Sequence, residues 1–290
     1  MNKYTVLYNP HAGNRTAEKE SKILIDTFSG KNVEFVNITE ISDYKVFFDT
    51  LTDDTSVIIA GGDGTLNRFI NSVEDLPQND ILYFPAGSGN DFMHDLEKVK
   101  GCEPFSIKKY LQKLPKVSVN GKTFKFINGV GYGIDGYCCL EGDNIREKTK
   151  KAVNYTTIAI KGLLFKYKTT SAKVTVDGKE YTYKNVWMVP TMNGRFYGGG
   201  MMATPMQDRN ADTLSVLVVT SKSKLRLLTI LPTIFGGKHV KFKKQVTFFQ
   251  GKHVKVEFDR PTPAQIDGET IKDVTKYEVF AYEKVPEFAL

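Results

Sequence analysis

The segment Val57-Ile58-Ile59-Ala60-Gly61-Gly62-Asp63-Gly64-Thr65-Leu66-Asn67 constrains the chain more than any other stretch. Its β-branched run reads as a buried strand, two glycines end it, and a helix begins almost at once. Leu66, Phe69, Ile70 and Val73 recur at i, i+3, i+4 and i+7, which gives that helix one apolar face. The glycines let main-chain N–H groups approach an anion without a Cβ in the way, and the helix N-terminus adds partial positive charge. Thr65 either caps the helix or donates its hydroxyl to a phosphate. Asp63 repels a phosphate unless a cation lies between them, so the segment points to Asp63 as a Mg²⁺ ligand, direct or through water. The competing reading is a plain strand-to-helix turn with Asp63 as its cap.

The rest of the first half repeats this alternation. Tyr4–Tyr8, Val33–Ile38, Val57–Ala60 and Ile81–Phe84 read as buried strands, and Ala17–Thr27 and Leu66–Val73 as helices. Strands separated by helices imply a doubly wound parallel sheet, whose ligands sit at the carboxyl ends of the strands. Three loops there are rich in turn-forming residues: Asn9–Asn14, Gly61–Thr65 and Pro85–Asp91.

The second half changes period. Lys173–Val176 and Glu180–Lys184 flank Asp177-Gly178 as a hairpin, and Val246–Phe249 and Val254–Phe258 flank Gln250-Gly251 in the same way. Asn185–Val189, Leu214–Val219 and Tyr277–Tyr282 add strands, with one long helical insertion over Ile145–Lys166. The fold class expected is α/β plus β. A doubly wound α/β nucleotide-binding domain spans 1–124, and a mainly antiparallel β domain spans 125–275. The final strand, 276–290, is free to return to the first domain.

The 290 residues, 41% hydrophobic and 25% charged, exclude a disordered or fibrous chain. Leu225–Phe235, the longest apolar-rich stretch, is interrupted by Arg226 and Pro232 and falls short of the ~20 residues of a membrane-spanning helix. The N-terminus shows no leader pattern, so a cytoplasmic location is expected. Cys102, Cys138 and Cys139 lack metal or disulfide spacing and read as reduced, partly buried thiols. The four histidines, His11, His94, His239 and His253, are scattered and read as surface residues.

Net charge is +7, yet Thr213–Val256 holds nine Lys and Arg and no acid. Such a block suits an anionic membrane surface, or is simply a solvated face. The apolar residues of Leu225–Phe235 lie between its cationic clusters, so apolar insertion and charge attraction can act together. No nucleic-acid motif accompanies the block, and no such partner is expected.

Gly61-Gly62-Asp63-Gly64-Thr65-Leu66-Asn67 resembles the signature of the catalytic domain shared by diacylglycerol kinases, sphingosine kinases and bacterial lipid kinases, and more distantly by NAD kinases. Asn9-Pro10-His11-Ala12-Gly13 is similar to the family's opening turn, with Ala12 in place of Ser. Pro85-Ala86-Gly87-Ser88-Gly89-Asn90-Asp91-Phe92 is similar to its third loop, Ser88 keeping the hydroxyl of the usual Thr. Gly198-Gly199-Gly200-Met201 with Pro205, and Ile266-Asp267-Gly268-Glu269, match second-domain strings.

The resemblance implies an ATP- and Mg²⁺-dependent lipid kinase, peripheral at the inner face of the membrane, acting on a diacylglycerol-like membrane lipid at an anionic bilayer surface. Asn9, Pro10, Gly13, Gly61, Gly62, Asp63, Gly64, Thr65, Leu66, Asn67, Gly87 and Ser88 then line the nucleotide site, with Thr39 toward the adenine end. Asp63 holds the metal and Asp91 orders the metal-bound network, unless Asp91 only caps the helix carrying Phe92. Glu269 is the implied proton acceptor, with Asp267 orienting the loop or the base. Many members also hold a structural Mg²⁺ through an Asp-Asp-Gly segment; here Asn210-Ala211-Asp212 falls opposite it, and Ala211 offers no oxygen. An NAD kinase-like enzyme and a catalytically silent lipid- or nucleotide-binding regulator stand as alternatives. Oligomeric state cannot be read.

Overall fold

The computed structural model describes residues 3–10, 23–86, 90–149 and 153–281. The chain divides into two compact units at Leu114/Pro115. Among the described residues no helix is long and apolar enough to cross a membrane.

The first unit is built on a five-stranded sheet. Strands β1 (Lys3–Tyr8), β2 (Asn32–Asn37), β3 (Thr55–Gly61) and β4 (Ile81–Pro85) run parallel, and short β5 (Phe105–Ser106) is antiparallel to β4; the order is β2-β1-β3-β4-β5. Helices α1 (Ile23–Thr27), α2 (Tyr44–Asp49), α3 (Asp63–Ser72), α4 (Asp91–Asp95) and α5 (Lys108–Leu111) connect or follow these strands. β1 and β3 are buried almost throughout, as strands of a parallel sheet covered on both faces must be. Val6, Ile58, Ala60 and Phe84 pack with Tyr4 and Leu24 into one core, and Leu66, Phe69 and Ile70 of α3 are buried at the helical spacing the sequence predicts. Of the expected helix Ala17–Thr27, only Ile23–Thr27 lies within the described residues.

The second unit is antiparallel. Its strands are β6 (Lys116–Val119), β7 (Lys122–Lys125), β8 (Gly129–Tyr132), β9 (Thr170–Val176), β10 (Lys179–Met188), β11 (Thr191–Met192), β12 (Phe196–Tyr197), β13 (Met201–Met202), β14 (Leu214–Thr220), β15 (Val246–Gly251), β16 (His253–Ile266) and β17 (Glu269–Phe280). β12 and β13 pair only with each other; the remaining strands run β7-β6-β17-β16-β8-β11-β14-β10-β9, with β15 on β14. The fourteen-residue β16 closes this order on itself. Its first half pairs with β9 (Val254–Phe258) and its second with β8 (Ala264–Ile266), with register shifts between the two that bend the strand. Val130, Val174, Val216, Val256 and Ile266 face inward as the core of this closed layer. Helices α6 (Ile134–Thr149), α7 (Tyr155–Lys161) and α8 (Lys224–Ile234) complete the unit.

Four expectations need correction. The unit boundary falls at Leu114/Pro115 rather than 124/125, because β6 pairs with β17. The same pairing keeps β17 in the second unit through Phe280; residues 282–290 lie outside the described residues. The helical insertion starts at Ile134 rather than Ile145. Its glycine-rich start looks loop-like, yet a Cβ on Gly136 would sit 2.0 Å from the Pro263 carbonyl oxygen, so glycine is what allows α6 to lie against β16. Val246–Phe249 and Val254–Phe258 do not form a hairpin, since β15 pairs with β14 and β16 with β9. Asp177 fixes the corner between them, its Oδ1 accepting the Lys252 and His253 N–H groups at 2.9 and 2.8 Å. The Asp177-Gly178 hairpin of β9 and β10 is present as expected.

Candidate active site

In the first unit the chain passes from β1 to β2 on one side, then crosses to β3 and β4 on the other, so the order reverses between β1 and β3. The registers Tyr8↔Asn37, Tyr8↔Ala60 and Gly61↔Pro85 bring the carboxyl ends of the four strands to one edge within about a residue. Asn9 and Pro10, Thr39, Gly62 and Ala86 all follow that edge. Open α/β sheets bind ligands there, and the loops after β1 and β3 flank the reversal itself. Gly13, Gly87 and Ser88 lie outside the described residues.

The turn after β3 is set by packing more than by backbone freedom. Gly62 takes extended angles as the N-cap of α3. Gly61 is required for space, since a Cβ there would lie 2.4 Å from Thr65 Oγ1 and 2.5 Å from Thr65 Cβ. Thr65 is thereby pressed onto the turn, 2% exposed, and its hydroxyl oxygen makes no hydrogen bond. A buried hydroxyl without a partner at a helix N-terminus fits an acceptor such as a phosphate oxygen. Leu66 is fully buried and serves the core, while Asn67 accepts from Asn71 Nδ2 through its carbonyl (3.0 Å) and Oδ1 (3.3 Å).

Asp63 has a structural task that the sequence does not reveal. The Asp91 N–H donates to Asp63 Oδ2 at 2.7 Å and the Phe92 N–H to Oδ1 at 3.1 Å, so this carboxylate caps α4 from another element. The N-cap residue of α4, Asn90, instead accepts from the Tyr83 hydroxyl at 3.2 Å, and its side chain makes no cap bond. Ala86 N–H donates to Gly61 O at 3.0 Å, a second tie between the same two loops. Asp91 is therefore the first residue of α4, held by Asp63. Tyr83 is fully buried here, and burial, then the charges of Asp63 and Asp91, push its phenol well above the usual range. Thr39 sits in a turn after β2, where its N–H and hydroxyl both donate to Asn37 Oδ1, at 3.0 and 2.8 Å.

In the second unit Asp267 and Gly268 form the two-residue turn between β16 and β17, both with positive φ (48° and 94°). Asn and Asp tolerate that region, and Gly occupies it freely. The Asp267 carboxylate accepts three backbone N–H groups: Ile127 at 2.7 Å, Asn128 at 2.8 Å and Gly129 at 3.0 Å. It fixes the chain entering β8. The Arg209 guanidinium adds to that anchor, donating to Ile127 O and, at 2.9 Å, to Asn128 Oδ1. Glu269 begins β17 opposite Ile266 and is exposed.

The segment opposite the family's structural-metal motif does not fit a cation. Asp208 Oδ1 accepts from the Asn210 N–H (2.9 Å) and Nδ2 (3.1 Å), and Asp212 pairs with Lys252 at 2.5 Å. Gln207 Nε2 donates to the Asp208 and Thr213 carbonyls, both at 2.9 Å, so the side-chain amide ties the two ends of this segment together. Among the described residues no three acidic, histidine or cysteine side chains cluster as a metal site.

Two residues were misjudged or missed from sequence. His239 is fully buried, with one ring nitrogen 2.9 Å from the Ala203 carbonyl, and burial lowers its pKa. Asp135, at the start of α6, is buried with Oδ1 accepting from the Gly136 N–H and Oδ2 lacking a partner. Burial pushes its carboxyl up to about 6, and the buried Tyr197 phenol lies within its electrostatic reach. An acid just inside a helix start reads as an ordinary first-turn residue, so no sequence signal marks it.

Residues 3–119 match the diacylglycerol kinase catalytic domain, and residues 128–286 the YegS C-terminal NAD kinase beta sandwich-like domain. A diacylglycerol kinase of Mycobacterium tuberculosis is 25% identical over 292 residues, covering 92% of each chain. A diacylglycerol kinase of Bacillus subtilis is 21% identical over 280 residues, covering 93% of this chain and 90% of that one. A crystal structure of a diacylglycerol kinase from Bacillus anthracis superposes with a TM-score of 0.59 at 20% identity over 97% of both chains, a likeness of fold. With both domains matched in order along nearly its whole length, the chain belongs to the lipid kinase family that joins a diacylglycerol kinase catalytic domain to a YegS-type C-terminal domain.

Proposed function

We propose that this chain uses ATP and Mg²⁺ to phosphorylate a hydroxyl of a diacylglycerol-like membrane lipid. The observation that carries the reading is the unpartnered Thr65 hydroxyl at the α3 N-terminus, in the loop flanking the sheet's reversal point. Phosphoryl transfer needs positioning and charge neutralisation above all. The turn Gly61–Thr65 offers N–H groups, a helix N-terminus and one hydroxyl to the phosphates. Asn9, Pro10 and Thr39, at the same strand ends, border the nucleotide, together with Gly13, Gly87 and Ser88. Mg²⁺ would supply positive charge to the phosphates when bound; Asp63, whose oxygens each accept one N–H and keep further lone pairs, would hold it, with Asp91 ordering the surrounding network. Glu269 takes the proton of the lipid hydroxyl, and Asp267 orients the turn that bears it.

The acid-free stretch Thr213–Val256 serves as the face that meets an anionic bilayer, on the inner side of the membrane. Only part of its apolar run is available, because Leu227, Ile230 and Ile234 are buried in the unit's own core. Incubating the chain with γ-labelled ATP, Mg²⁺ and a total lipid extract tests the reading. Label should enter the organic phase on a hydroxyl-bearing lipid. Label found only on NAD, or hydrolysed to free phosphate, would contradict it.

A further inference from the structure

A groove of about 400 Å³ opens in the second unit where β10, the turn after β14, the start of α8 and the start of β15 meet. Lys184, Lys222, Arg226 and Lys244 line it, and no acid does. Ser221 and Ser223 also line it, tied together because Ser223 N–H donates to Ser221 Oγ at 3.1 Å and Ser221 Oγ to Ser223 O at 3.0 Å. The wall is equally fixed. Asn185 sits in a β-bulge at φ 55° and accepts the Ser221 N–H at 3.0 Å, while the Trp187 indole donates to Ser221 O at 2.9 Å. Four exposed cationic residues thus line one concavity whose backbone is fixed and whose lining holds no carboxylate, which favours entry of an anion.

Two projecting apolar side chains lie near the groove. Phe165 is 77% exposed and Leu225 74%, the two most exposed large apolar side chains among the described residues. Lys224 Nζ donates to Leu164 O at 2.7 Å, which joins the start of α8 to the helical turn Gly162–Lys166 that follows α7 and carries Phe165. Cations around a cavity next to projecting apolar side chains match a bilayer surface, where phosphates lie above acyl chains. A nucleic acid would leave Phe165 and Leu225 unused.

We propose that this groove seats the headgroup phosphate of an anionic phospholipid while Leu225 and Phe165 enter the acyl layer beside it. The proposal rests on the lipid kinase reading and gives its membrane contact a defined site. The phospholipid held here is an anchor that the enzyme does not phosphorylate.

Sedimentation with phosphatidylcholine vesicles, with and without phosphatidylglycerol, tests it on the full chain. Wild type should bind the phosphatidylglycerol vesicles preferentially, less so as salt rises. Lys222→Glu/Arg226→Glu should lose more than roughly 30-fold in partitioning, the loss that removal of two surface cations alone predicts, because each substitution also adds an acid. Lys122→Glu/Lys272→Glu makes the same charge change elsewhere in the unit and should lose less than about threefold by screened attraction alone. Phe165→Ser/Leu225→Ser should weaken binding while leaving its salt dependence intact. Turnover on lipid dispersed in neutral detergent separates this idea from the kinase reading, since the groove variant should match wild type there. If wild type turns over lipid in detergent but both charge variants lose vesicle binding equally, the groove is not the site. Binding to oligonucleotides with none to vesicles would overturn the proposal as well.

Discussion

Thr65 and Asp135 each carry a buried oxygen without a hydrogen-bond partner, and the consequences differ. Because no intramolecular bond is lost, Thr65→Val is nearly isosteric and should fold with unchanged or slightly higher stability. A hydrogen bond to a charged phosphate is worth about 1.5–3 kcal/mol, so ATP affinity should fall roughly 10–100-fold. Calorimetric titration of ATP beside a urea melt reads both quantities; equal ATP affinity in the variant would remove Thr65 from the site. For Asp135 the native pKa, raised by burial from 3.8 to about 6, means that the native state holds its proton more tightly than the unfolded chain does. The stability this contributes is complete below about pH 4 and is lost as pH rises toward and past 6, by roughly 3 kcal/mol at ~1.4 kcal/mol per unit. Asp135→Asn should therefore flatten the stability profile between pH 4 and 7 and melt higher than wild type at neutral pH. A wild-type profile already flat across that window would mean that the carboxyl is solvated.

At the scale of elements, what the sequence shows depends on how local the cause is. The strands of the first sheet and the buried stripe of α3 are legible because β-branched runs and a 3.6-residue period are local patterns. The Asp177-Gly178 hairpin is legible for the same reason. Gln250-Gly251 looks alike, yet β15 and β16 separate, because Asp177 captures the two N–H groups after that turn from a distant position in the chain. The start of α6 was hidden because Gly136 answers to Pro263, far along the sequence. In the candidate site, the glycines and Thr65 were legible as a motif, whereas the bond from Asp63 to α4 is tertiary and leaves no trace in spacing. That bond supports a prediction. Both Asp63 oxygens accept N–H groups, so Asp63→Asn places an amide NH₂ against one of them and should cost about 1–3 kcal/mol. Faster hydrogen exchange at the Asp91 and Phe92 amides should accompany the loss. Unchanged exchange there would show that α4 does not depend on Asp63.

At the scale of the whole molecule, the proposed reading divides the chemistry between the two units. The nucleotide loops belong to the first, Glu269 and its anchored turn to the second. Sequence signals of both kinds survive because each is a short string at the end of a strand. The division has a kinetic consequence: a change at Glu269 should leave ATP binding as it is and act on transfer alone. The most direct measurement compares wild type and Glu269→Gln for transfer of label from γ-labelled ATP to lipid, with nucleotide affinity measured separately. Wild type should label a hydroxyl-bearing lipid, and Glu269→Gln should bind Mg²⁺·ATP equally well while its kcat falls by roughly 10²–10⁴. Absence of lipid labelling by wild type, or a variant within about threefold of wild-type kcat where a positioned base is worth far more, would contradict the account.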